Sequence, residues 1–229
     1  MKIILCSDTH GKHDDLNNDL PEADMIIHSG DITSTGRENE VLKFLDWFGS
    51  LPYKHKIFIA GNHDFYFEAK LSAFPPIYTK LPEKYNQMGI TYLMDEMVEI
   101  EGLKIYGSPW QPFFYDWAFN LNRGYEIAKV WEKIPKKVDI LITHGPPYGI
   151  LDYTPNYLNV GCEELYKRII KVKPKIHVFG HIHFARGHKN FNNIDFFNAS
   201  VLNKQYSYSK KPFLITLNNK KELISIEQF

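Results

Sequence analysis

Cysteine is scarce in this chain, with two in 229 residues. That excludes a scaffold built on disulfides, and both thiols are expected to be reduced in a cytoplasmic protein. Long apolar runs are missing too. No uncharged stretch approaches the roughly twenty residues that a membrane helix needs, and the opening Met1-Lys2-Ile3-Ile4-Leu5-Cys6 is too short for the core of a secretory leader. A membrane partner is therefore not expected. Net charge is absent as well: 27 basic and 27 acidic residues cancel. Nothing in that balance draws the chain to nucleic acid, and a small anionic ligand suits it better than a polyanion. There is no repeat, low-complexity tract or break in composition, so residues 1–229 read as one domain with ample length for a core.

What the chain does have is metal-ligand chemistry at regular intervals. Asp8-Thr9-His10, Gly30-Asp31, Gly61-Asn62-His63-Asp64, His144-Gly145 and Gly180-His181-Ile182-His183 punctuate it in order. Each cluster follows or overlaps a short apolar run that reads as a buried strand: 2–7, 24–28, 55–60, 138–143 and 176–179. Side chains at successive strand ends converge on one edge of a sheet. A helix carrying Val41, Leu42, Leu45 and Phe48 on one face, capped by Ser34 or Thr35, is expected between the second and third strands. Residues 65–88 read as irregular structure with short helices. Runs at 90–93, 97–100 and 103–106 suggest an antiparallel meander with a turn at Glu101-Gly102. Helices are expected over 123–133 and 162–172, with Cys162 on the buried stripe of the second, and further strands over 195–197, 213–217 and 223–226. Cys6 reads as a small core residue.

The clusters combine carboxylates, an amide and imidazoles. Asp8 and His10, two residues apart, can grip one ion. Asp31 can place one oxygen on each of two ions and so hold them roughly 3.5–4 Å apart. Asn62 adds a neutral oxygen, and His144, His181 and His183 add nitrogens suited to Mn, Fe, Co, Ni or Zn. His63 is expected to stay unligated beside a bound phosphate as an acid, with Asp64 orienting its ring. A lone buried histidine is usually a satisfied core residue, and His13, His28, His55, His177 and His188 are read that way. Five clusters behind separate strands are a different matter.

Together, Asp-x-His, Gly-Asp, Gly-Asn-His-Asp, Thr-His-Gly and Gly-His-x-His resemble the calcineurin-like metallophosphoesterase superfamily, over residues 8–183. The resemblance implies an α/β fold of four layers, αββα, with two mixed β-sheets flanked by helices and a dinuclear metal site at the strand ends. It implies one metal on Asp8, His10, Asp31 and His183 and another on Asp31, Asn62, His144 and His181. The two ions are expected to be divalent or trivalent, Mn first, with Fe, Zn, Co or Ni as alternatives. Ile27-His28-Ser29-Gly30-Asp31, Gly107-Ser108-Pro109-Trp110-Gln111-Pro112 and Trp117-Ala118-Phe119-Asn120 are similar to the small branch related to class III cyclic nucleotide phosphodiesterases.

The expected activity is hydrolysis of small phosphodiesters, cyclic nucleotides among them, by in-line attack of a metal-bridging hydroxide with His63 as general acid. A phosphomonoesterase, a protein phosphatase, a nuclease or a catalytically silent nucleotide-binding protein are the alternatives. The aromatic segment Gly107–Asn120 reads either as a wall on which a nucleobase stacks, through Trp110, Phe113, Phe114, Tyr115 or Trp117, or as a local core or homodimer contact. Arg123 is a candidate phosphate partner, and Asn198 a candidate rim residue.

Overall fold

The computed structural model describes residues 1–72 and 81–228, so part of the expected irregular segment, with Pro75 and Pro76, lies outside the described residues. In chain order the elements are β1 Lys2–Cys6, β2 Met25–His28, α1 Glu38–Ser50, β3 His55–Phe58, α2 Phe65–Ser72, α3 Glu83–Gln87 and β4 Ile90–Tyr92. Next come β5 Glu96–Ile100, β6 Leu103–Ser108, β7 Gln111–Pro112, β8 Asn120–Leu121, α4 Tyr125–Glu132 and β9 Ile140–Thr143. The chain closes with α5 Glu163–Val172, β10 Ile176–Phe179, β11 Gly187–Phe191, β12 Ile194–Asn198, β13 Phe213–Leu217 and β14 Leu223–Gln228.

Two six-stranded mixed sheets face each other, ordered β14-β13-β1-β2-β3-β4 and β11-β12-β10-β9-β6-β5. The apolar runs at their centres are continuous rather than alternating because both faces of these strands are covered. Ile3, Leu5, Ile27 and Ile57 point inward against Ile105, Ile140, Ile142 and Val178 of the second sheet. The outer face of the first sheet, with Ile4, Cys6 and Phe58, meets Phe44, Leu45 and Phe48 of α1. That of the second, with Leu141 and Phe179, meets Ile127 and Trp131 of α4 and Leu165 and Ile169 of α5. The four expected layers are present, and Cys6 is a packed core thiol whose pKa burial pushes far up.

Three local expectations need correction. β4 does not join a meander with β5 and β6: it pairs parallel with β3 in the first sheet, while β5 and β6 form a hairpin in the second. The crossing is made at Asp95, which turns with φ +54° and ties itself to β6 and α4 by accepting bonds from Ser108 and Lys133. Neither Ser34 nor Thr35 caps α1. The helix starts at Glu38, and the Glu40 carboxylate reaches back to accept the amides of Ser34, Thr35 and Arg37 at 3.1–3.2 Å. Cys162 is buried but precedes α5 as its cap, its Sγ accepting from the Leu165 amide.

Two histidines read as core residues sit deep in the sheets. His28 and His177 are fully buried, each bonded through Nε2 to a threonine, Thr9 at 3.0 Å and Thr143 at 2.8 Å. Burial holds both near a pKa of about 3, against an ordinary value near 6.5. Below pH 6.5 the unfolded chain therefore binds protons that the folded chain refuses, and stability falls as pH drops toward 3. Each group contributes a slope of about 1.4 kcal/mol per pH unit within that window. His177→Leu is expected to flatten the measured dependence of unfolding free energy on pH by about that amount; an unchanged slope would refute neutral burial.

Candidate metal centre and active site

All five clusters arrive at one edge of the two facing sheets. Asp8 and His10 follow β1, Asp31 follows β2, Asn62 and His63 follow β3, His144 follows β9, and His181 and His183 follow β10. The first three positions belong to one sheet and the last two to the other. Backbone geometry at this edge is unusual. Asp8, His10, Asp31 and His181 all have positive φ, between +44° and +67°. Such conformations cost roughly 1–3 kcal/mol each and persist where neighbouring structure enforces them. Gly30, at φ +102°, lets the chain pass so close that a Cβ there would stand 2.6 Å from His144 Nδ1.

Among the described residues, donor atoms gather in two nests, Asp8, His10 and His183 in one and Asp31, His144 and His181 in the other, with His10, Asp31 and His63 forming an overlapping group between them. His183 Nε2 lies 3.3 Å from Asp8 Oδ1 and 3.4 Å from His10 Nε2. His144 Nε2 lies 2.9 Å from Asn62 Oδ1. Ligands held about 2.1 Å from one ion at right to tetrahedral angles are about 3.0–3.4 Å apart, so the spacing fits cations in both nests. The ring nitrogens are prepared for it. His144 Nδ1 donates to Ser29 O at 3.1 Å and His183 Nδ1 to Asn203 O at 3.1 Å, so each ring turns Nε2 toward the nest, where a cation would displace the proton that neighbouring acceptors hold on it.

Asp31 connects the nests, though not with one oxygen for each. Oδ1 accepts the His63 amide at 2.8 Å. Oδ2 alone faces both sides, 3.5 Å from His10 Nε2 and 3.4 Å from His144 Nε2. Asp31 is thus the residue that would serve a cation in either nest. The electrostatics follow from the crowding. Against the cost of burial, His144 and His10 hold Asp31 well below the ordinary carboxylate range. Against the same cost, Asp31 lifts His144 to about 9. Burial dominates at His10 and His181, pushed down to about 4 and about 3, so both rings are neutral donors.

Asp64 does not orient His63. Its buried carboxylate accepts the Gly61, Ile32 and Thr33 amides at 2.8–3.2 Å and the Thr33 hydroxyl at 2.7 Å. It ties the β3 turn to the loop after β2. Burial, with Asp31 behind it, pushes Asp64 up to about 6. The ring of His63 is held instead by Ser34, whose carbonyl accepts from Nδ1 at 2.8 Å, and by Trp117, stacked on it at 4.1 Å between centroids.

Before these residues opens a cavity of about 350 Å³, lined by Asp31, Asn62, His63, His181 and His183 on the metal side and by Phe113, Phe114, Trp117 and Arg123 on the other. Trp110 is not part of that lining. Its indole N–H donates to Asp95, and its ring meets Phe119 edge-on at 5.5 Å. Arg123 borders the cavity, but its terminal nitrogens are committed to the carbonyls of Val160 and Gly161 and to Glu163. It braces a loop rather than waiting for phosphate. Asn198 is not at the rim: fully buried, it donates to Ile182 O at 2.9 Å and accepts the Ser200 amide at 3.3 Å.

Two residues escaped the sequence reading. Ser200 Oγ donates to Asp8 Oδ2 at 2.7 Å, while the His181 amide donates to Asp8 Oδ1 at 3.0 Å. Ser200→Ala is expected to loosen Asp8 and weaken metal binding by about 10–100-fold, read by calorimetric titration; unchanged affinity would show that the bond is idle. Tyr206 lies at a turn with φ +57° and sets its ring 4.8 Å from His10 and 5.2 Å from His183. Neither stands in a recognisable motif. Only the Asn-Ala-Ser spacing after a strand hinted at the first.

Comparison with known proteins identifies the family and the fold. The calcineurin-like phosphoesterase family matches residues 1–185. Human metallophosphoesterase domain-containing protein 1 is 42% identical over 232 residues, covering 94% of this chain and 71% of its own. The Caenorhabditis elegans UPF0046 protein C25E10.12 is 37% identical over 236 residues, covering 95% and 81%. Among solved structures, TT1561 of Thermus thermophilus superposes with a TM-score of 0.60 at 14% identity, over 99% of this chain and 98% of that one. That likeness speaks for the fold alone.

Proposed function

Because the chain belongs to the calcineurin-like phosphoesterase family, whose members normally bind two metal ions, we propose that it is a two-metal phosphodiesterase of small diesters, cyclic nucleotides among them. The observation that carries this reading is Asp31 Oδ2, shared by two donor nests on the floor of a cavity that His63 also lines. Asp8, His10, Asp31 and His183 would hold one cation and Asp31, Asn62, His144 and His181 the other. Mixed nitrogen and oxygen donors suit Mn, Fe, Co, Ni or Zn better than Mg or Ca. Bound there, two cations supply Lewis-acid stabilisation of phosphate charge and lower the pKa of water.

The chain's own groups do the rest. Nδ1–H of His63 is spent on Ser34 O, so Nε2 is the nitrogen that can carry a proton to a departing alkoxide. Phe113 and Phe114 form an apolar side to the cavity, which suits the organic part of a diester. The volume of about 350 Å³ accommodates a mononucleotide-sized ligand.

The test is a substrate panel run with each metal in turn. Bis-aryl phosphate turned over faster than mono-aryl phosphate, with 2′,3′- or 3′,5′-cyclic nucleotides also cleaved, is the expected result. Preference for the monoester, or cleavage of oligonucleotides alone, would replace this reading with a phosphatase or a nuclease.

A further inference from the structure

We propose that Trp117 is a positioning residue for His63, clamping its imidazole in the orientation that delivers a proton to the leaving group. The inference rests on the reading of His63 as proton donor. One hydrogen bond, from Nδ1 to Ser34 O, fixes an edge of the ring and leaves it free to rock about that bond. The neighbouring rings restrict that freedom. Trp117 stacks on one face at 4.1 Å with 29° between the planes, and His10 meets the ring edge-on at 4.5 Å and 85°.

Trp117 is itself fastened to the turn that carries His63. The Ala118 amide donates to Asn62 O at 3.1 Å, and the Phe119 amide to the Glu68 carboxylate at 2.6 Å. Phe65 supports the indole at 5.9 Å. The aromatic segment therefore contributes rings of two kinds. Phe113 and Phe114 are more than half exposed, whereas Trp117 has a face occupied by an imidazole and unavailable for stacking on a nucleobase. Proton transfer requires heavy atoms about 2.6–3.2 Å apart, and a displacement of about 1 Å costs on the order of 10²-fold in rate. A ring free to rock would lose part of its population from that range.

Two measurements test the proposal. In the metal-free protein, the ring protons of His63 are expected to be shifted upfield by the indole and to move downfield in Trp117→Leu. No change in shift would mean that the stack does not exist in solution. In the metal-loaded enzyme, kcat for a diester with an alkyl leaving group is expected to fall about 10–100-fold in Trp117→Leu, with less than about threefold loss on an aryl ester that needs no proton. Trp117→Phe should restore most of the alkyl rate, and His63→Ala/Trp117→Leu should be no slower than His63→Ala alone. Equal losses on both esters, or losses that multiply in the double variant, would overturn the role of Trp117 while His63→Ala still discriminates between the esters. If His63→Ala itself fails to discriminate, the proton-donor reading falls instead.

Discussion

His63→Ala is expected to lower kcat on a phosphodiester with an alkyl leaving group by about 10²–10⁴-fold, and by less than about tenfold on a nitrophenyl ester. The asymmetry is what matters. An alkoxide leaves badly without a proton, whereas a nitrophenolate needs none, so a proton donor reveals itself by the difference. His63 Nδ1 is committed to Ser34 O, which makes Nε2 the only nitrogen available for transfer. Parallel steady-state assays on the two substrates decide it. Equal losses would assign His63 to binding or folding. Asp64→Asn should not reproduce this signature, because the Asp64 carboxylate serves the Gly61, Ile32 and Thr33 amides; its effect belongs to stability.

Asp31→Asn should be as damaging through a different cause. The substitution keeps an acceptor for the His63 amide but removes the negative oxygen that faces both His10 and His144. Elemental analysis after dialysis is expected to find the metal content falling from two ions per chain toward one or fewer. The loss of Lewis-acid stabilisation amounts to several kcal/mol, or about 10³-fold or more in kcat/KM. Two tightly held ions with activity within tenfold of the parent would show that neither ion depends on Asp31.

Much of this was legible in the chain because strand ends are easy to find. A short apolar run closed by glycine and an acidic, amide or imidazole group carries its own direction, and five such signals converge by topology alone. What stayed hidden depends on contacts across long sequence distance. Asp64 adjoins His63 in sequence, yet its donors come mostly from the loop after β2, so adjacency misassigned it. Asn198 sat near the right place for the wrong reason: it holds Ser200, which holds Asp8. The spacing between β4 and β5 suits a hairpin, but the turn at Asp95 carries the chain across to the other sheet after β4. The left-handed backbone at Asp8, His10, Asp31 and His181 has no composition signature, since aspartate and histidine are also ordinary turn residues.

The division of the donor atoms between two sheets has a thermodynamic meaning of its own. Asp8, His10, Asp31 and Asn62 ride on one sheet and His144, His181 and His183 on the other, with an apolar layer between. Each candidate nest draws from both. An ion seated in either would act as a rivet through the sandwich, so that separating the layers also means releasing the ion. At a free metal concentration about a hundredfold above Kd, one site adds about 2.7 kcal/mol against unfolding. Chelation should therefore lower the melting temperature of the entire sandwich rather than loosen one rim, linking the free metal concentration to the fraction of molecules that is folded.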